Sequence, residues 1–189
     1  MGFNTVAYTD NSLSIGRYND ANRTPDATLF VVGNGTSSNH TDALVLKTNG
    51  DMTIAGIFTE NSDERFKTDI DPFGKLIPAL LDIEPVRYRF KEAPNRSEEL
   101  QIGLIAQQVQ KHFPELVSED GSGYLSVSYS KMTAVLLKGL QEQQEEIERL
   151  SETIENLELG NHILKENLEQ LSADMEDLKN IIYGMAVNE

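Results

Sequence analysis

The sequence predicts an α+β chain in three parts: a β-rich segment over residues 1–61, a small mixed α/β domain over 62–129, and a long helical coiled coil over 130–189. Three observations predict it. Short β-type runs alternate with Asn-Gly pairs at the start, prolines punctuate the middle, and an unbroken heptad fills the end.

In the first part, Leu29-Phe30-Val31-Val32, Ala43-Leu44-Val45-Leu46 and the run from Met52 to Phe58 are rich in branched and aromatic residues. Asn34-Gly35 and Asn49-Gly50 lie between them, and Asn-Gly suits hairpin turns because both positions tolerate positive φ. The remainder is Asn, Thr, Asp and Ser. So small and polar a piece buries little surface alone, so it is expected to lean on copies of itself. The competing reading is a disordered linker with some β tendency.

In the second part, Pro72, Pro78, Pro85 and Pro94 keep each element short. A short helix is expected from Phe73 to Asp82, with Pro78 in its first turn. Val86 to Lys91 alternates apolar and basic residues, as a half-buried strand does. Leu104 to Phe113 puts Ile105, Val109 and Phe113 on one helical stripe, which Pro114 ends. Tyr124 to Val127 is a further strand.

In the third part, Leu140, Ile147, Ile154, Asn161, Leu168, Met175 and Ile182 occupy heptad position a. Leu136, Gln143, Leu150, Leu157, Leu164, Leu171, Leu178 and Met185 occupy d, so thirteen of fifteen core positions are apolar without a phase break. A long amphipathic helix packed on its own domain would show a broader stripe. Ile at a with Leu at d favours two strands, and a polar a residue such as Asn161 fixes register and oligomer state.

Composition narrows the function. There is no Cys, and His40, His112 and His162 show no metal-ligand spacing, so neither a metal nor another cofactor is expected. No apolar run approaches the roughly 20 residues that span a bilayer, and the N-terminus lacks the order of a signal peptide. The net charge of −15 argues against nucleic acid and membrane as partners. Residues 141–189, with 13 acidic and 3 basic residues, carry −10 of it, which reads as a solvated helix face.

A Ser five residues before a Lys, as in Ser62-Asp63-Glu64-Arg65-Phe66-Lys67, is weak evidence of chemistry alone. The stretch Ser62 to Ile70, however, resembles the opening of the endosialidase-type intramolecular chaperone, the S74 peptidase family. The resemblance continues through Pro85-Val86-Arg87-Tyr88-Arg89-Phe90, through Ile102 to Val109 and Phe113-Pro114-Glu115-Leu116-Val117, and closes at Val127 to Met132. It covers roughly 62–150.

The resemblance implies the C-terminal part of a phage tail fibre or spike, in which residues 1–61 are stalk. It implies a homotrimer, moving the strand number from two to three, that guides folding of the upstream fibre region of the same chain. The chaperone then detaches by cutting Asn61–Ser62, with Ser62 as nucleophile, Lys67 as base, and Asp63 and Arg65 as possible support. The stalk would stay in the virion and the chaperone part be released in the host cytoplasm.

Ser is a poor nucleophile until a neighbour takes its proton. An ordinary Lys, with a pKa near 10.4, is neutral in only about one copy in 2,500 at pH 7. A working base must be desolvated, whereas Asp63, Glu64 and Asp69 favour a charged Lys67. Trimerisation is expected to resolve the conflict by burying Lys67 and turning the carboxylates outward or onto Arg65. Two routes fit: acyl shift to a Ser62 ester that water hydrolyses, or activation of water by the Ser62 hydroxyl. The main rival is a structural trimer that is never cut. A DNA-binding regulator released by a related cleavage domain lacks its basic segment. Residues 1–61 are too few for a glycan-cleaving cleft.

Overall fold

The computed structural model describes residues 2–7, 10–20, 28–91 and 98–186, with residues 184–186 as backbone alone. Pro94 and the side chain of Met185 lie outside the described residues. The chain is mixed α/β with a long C-terminal helix, and it divides into two compact units. One comprises Met1–Asp71 and Pro85–Leu104, the other Pro72–Glu84 and Ile105–Glu189.

The first unit holds a five-stranded sheet in the order β1 (Gly2–Phe3), β2 (Leu13–Arg17), β3 (Thr28–Asn34), β4 (Asp42–Lys47), β5 (Met52–Ile54). Strands β1 to β3 run parallel, and β3 to β5 antiparallel. Side chains directly opposite one another share a face, so the register defines rungs across the sheet. Leu13, Phe30, Leu46 and Met52 form one, and Ile15, Val32, Leu44 and Ile54 another, both on the same face. Ser14, Val31, Val45 and Thr53 form the rung between them on the opposite face. Within these rungs the buried residues are Ser14, Val31 and Val45, while the eight apolar side chains of the first face stay half-buried or exposed.

The β4–β5 connection is the hairpin that Asn49-Gly50 predicts: the Lys47 amide donates to the Asp51 carbonyl at 2.9 Å. Gly50 sits there at φ +87°, a conformation that costs a side chain dearly. Asn34-Gly35 instead opens a longer loop to β4, because Gly35 is buried and donates to the Arg17 carbonyl. Strand β5 stops at Ile54, short of the expected Phe58, and Ile57 and Phe58 lie exposed beyond it. Behind β2, buried Asn19 accepts from the Val6 amide and donates to the Val6 carbonyl, at 2.8 and 2.9 Å. A separate antiparallel pair, β6 (Val86–Tyr88) and β7 (Gln101–Gly103), completes this unit.

The second unit is built around α2 (Ala106–His112) and the start of α3 (Tyr129–Ala186). Its core is Leu76, Ile83, Val109, Phe113, Leu116, Met132 and Val135. Val109 and Phe113 lie where the helical period puts them, and Ile105, one turn earlier, is only partly covered. Pro114 ends α2 and begins a 3-10 turn, Pro114–Leu116, that leads into the hairpin β8 (Val117–Glu119) and β9 (Leu125–Val127). Helix α1 (Ile77–Leu81) is shorter than expected and starts with Pro78 in its first turn. It has no local side-chain cap. Glu142 of α3 supplies one, accepting from the Leu76 amide at 2.9 and 3.0 Å and from the Ile77 amide at 3.2 Å.

Two stripes run along the start of α3. Met132, Val135, Gly139 and Glu142, spaced three and four apart, face the core and α1; Gly139 leaves room for Leu80, whose Cδ1 would stand 2.5 Å from a Cβ there. The heptad stripe is a different one. Leu136, Leu140, Ile147, Leu150, Ile154, Leu157, Leu164, Leu168, Leu171, Met175, Leu178 and Ile182 are all exposed. No helix is long and apolar enough to cross a membrane, among the described residues.

Candidate functional site

The candidate site is built by one tight turn. Asp63, in extended backbone, caps the 3-10 turn Glu64–Phe66 by accepting from the Arg65 amide at 2.9 Å. The Phe66 amide then donates to the Asp63 carbonyl at 3.1 Å, and the Lys67 amide to the Glu64 carbonyl at 2.9 Å. Lys67 is itself extended. The turn folds the chain back on itself, and the Lys67 Nζ donates to the Ser62 Oγ at 2.8 Å. The sequence pairs Ser62 and Lys67 by spacing; the turn is what brings their ends together.

An ammonium at Lys67 donates in this contact. A neutral amine at the same distance accepts the Ser62 hydroxyl proton instead, which is the geometry a general base needs. Asn61, Ser62 and Lys67 are all exposed in the single chain.

Asp63 and Arg65 form a closed pair beside them. The Arg65 Nε donates to Asp63 Oδ1 at 3.0 Å and Nη2 to Oδ2 at 2.7 Å, a bidentate contact. The Arg65 side chain, then its amide, and to a smaller extent the Lys67 charge hold the Asp63 carboxyl below the ordinary carboxylate range. The segment is also flanked by uncovered apolar side chains: Ile57 is 90% exposed, Phe58 67%, Phe66 80% and Ile70 63%.

Sequence reasoning missed a second cluster, on the other unit. Asp82 accepts from Lys111 Nζ at 2.5 Å and lies 2.7 Å from His112 Nε2. Nothing local links residues 82 and 111, so no short motif signals it. The acidic-face reading of residues 141–189 likewise includes Glu142, yet its side chain is only 11% exposed. The absence of a Ser, Asp or Asn ahead of Pro78 is the one hint that α1 borrows its cap.

Residues 62–118 match the family model of the S74 peptidases, described as chaperone of endosialidase. Two curated relatives, each a long tail fiber protein Gp37, come from Enterobacteria phage M1 and Enterobacteria phage Ox2. Each is 45% identical over 53 residues, which is 26% of this chain and 21% of the relative. The match thus spans about a fifth of the length of those relatives. The resemblance read from the sequence is shown over residues 62–118, which match the chaperone-of-endosialidase model, a family of peptidase kind. The family model thus bears the description of a chaperone, and the relatives the name of a long tail fiber protein.

Proposed function

We propose that this chain, through its chaperone-of-endosialidase segment, trimerises, assists folding of the fibre ahead of it, and releases itself by cutting Asn61–Ser62. The observation that carries the cleavage is the 2.8 Å contact between Lys67 Nζ and Ser62 Oγ at the first residue of the family match. Neutral Lys67 takes the proton of the Ser62 hydroxyl. Oγ attacks the Asn61 carbonyl carbon, the carbon–nitrogen bond breaks, and the Ser62 nitrogen receives the proton. The resulting ester is hydrolysed to an Asn61 carboxylate and a restored hydroxyl. If the hydroxyl activates water instead, the same products form without an ester, and hydroxylamine traps nothing.

Support for the trimer comes from α3. The second unit docks against the Met132–Glu142 stripe and leaves the heptad stripe uncovered over its whole described length. Apolar rows this long on a soluble helix call for other helices. The half-covered rungs of the sheet in residues 1–61 have the same need. A coiled coil holding three copies together raises the effective concentration of those weak strands, where slow non-local pairing benefits most. Lys67 is exposed in one chain, so assembly is also the event that desolvates it and starts the reaction. The stalk, residues 1–61, remains in the virion, and residues 62–189 are left in the host cytoplasm.

Intact mass of freshly purified protein tests the reading, wild type beside Ser62→Ala and Lys67→Ala. The expected result is a wild type divided between Asn61 and Ser62 and both variants whole. A wild-type trimer that stays uncut leaves a purely structural trimerisation module.

A further inference from the structure

We propose that Arg65 is a positioning residue that keeps the Asp63 carboxylate engaged and so leaves Lys67 able to act as a base. The proposal rests on the Ser62–Lys67 reading above. Asp63 follows the nucleophile directly and its side chain lies within electrostatic reach of Lys67. A carboxylate free to pair with Lys67 would fix it as an ammonium and compete with Ser62 for its hydrogen bonds. The observed geometry opposes that competition. Both Asp63 oxygens are taken by the Arg65 fork, and Oδ1 also holds the Arg65 amide.

The turn and the clamp are one object. Asp63 must cap the turn for Lys67 to reach back to Ser62, so its carboxylate cannot simply be absent. A capping acid beside a catalytic lysine needs its charge occupied, and a residue two positions on, with a planar two-pronged donor, does this. Lys67 is exposed, and the charged groups around it along the chain are Glu60, Asp63, Glu64, Arg65 and Asp69. Of these, the Asp69 carboxylate accepts from the Thr68 hydroxyl at 3.0 Å.

The test is the rate of Asn61–Ser62 cleavage against pH, by intact mass of the full chain, in wild type, Arg65→Gln, Arg65→Lys, Asp63→Asn and the double variant Asp63→Asn/Arg65→Gln. Arg65→Gln is expected to cut about tenfold more slowly at pH 7 and to recover the wild-type rate at high pH, a shift of about one unit for an added neighbouring carboxylate. Arg65→Lys restores part of the neutral-pH rate. The double variant restores it fully, because Asn keeps the cap and carries no charge. Asp63→Asn alone is expected to keep or lower the pH midpoint, because it removes the carboxylate and leaves the Arg65 cation near Lys67.

The proposal is overturned if Arg65→Gln matches wild type at every pH, or if the double variant stays as slow as Arg65→Gln. It is equally overturned if Asp63→Asn raises the midpoint. An uncut wild type would sink the cleavage reading itself, a different outcome from any of these.

Discussion

The two stripes of α3 differ in what they touch, although one helix carries both. Met132, Val135, Gly139 and Glu142 are used inside the chain, two as core, one as a gap for Leu80 and one as a cap for α1. Leu136 and Leu140, on the same turns, are left 56% and 64% exposed. The domain therefore docks beside the seam and does not consume it. A helix that served only its own domain would turn its most apolar stripe inward. Here the most apolar stripe faces away from the domain, as the proposed trimer requires.

The comparison breaks most visibly at the seam. Leu157→Asp sets three carboxylates into one layer of the proposed trimer, at about 3–5 kcal/mol for each uncompensated buried charge. In the Ser62→Ala background, which stays whole, sedimentation equilibrium is expected to show the mass of one chain with Leu157→Asp and of three without it, with the second unit still folded by circular dichroism. An unchanged mass would move the seam elsewhere. The inner stripe is probed by Glu142→Ala, which uncaps Leu76 and Ile77 and should lower stability by about 1–2 kcal/mol in urea titration. Glu142→Gln should lose less, since one amide oxygen still accepts, and neither change should alter the mass.

The smallest effect concerns Asp82. Its carboxyl is held at about 2 against the usual 3.8, first by the Lys111 hydrogen bond and then by that of His112. A depressed carboxyl stabilises the fold above its unfolded value and loses that contribution as protons return. The contact should be intact above about pH 4 and drain away toward pH 2. Asp82→Asn should flatten the melting temperature over that window. A wild-type profile already flat there would make the cluster incidental.

Legibility followed range in sequence. The heptad is a local period, and the helix runs through it as a single element. The α2 stripe was legible for the same reason, as was the Gly50 hairpin. Strands β1, β2, β7 and β8 were not. Leu13–Arg17 alternates over only two apolar residues, Leu13 and Ile15, and β7 is three residues with one, Ile102, so neither run is long enough to stand out as a strand. Pairing with a distant partner makes them strands. At the site, the Ser62–Lys67 spacing gained meaning only from the resemblance around it. The cap by Asp63 was readable in principle, since an Asp ahead of a short turn is a familiar local signal. The borrowed cap from Glu142, 66 residues beyond Leu76, was not.

The outer surface of α3 has a consequence in ionic terms. Only a few of its acids are paired along the helix, Glu146 with Arg149 and Glu176 with Lys179 among them. In the proposed trimer the −10 of residues 141–189 is tripled, on helices whose axes lie about 8–10 Å apart. That spacing is close to the distance over which physiological salt screens a charge, about 8 Å. The three rods therefore repel one another through a thin layer of counterions while their seams attract. Dissolved salt acts as a silent fourth component that favours association, and dilution into pure water loosens the bundle from outside.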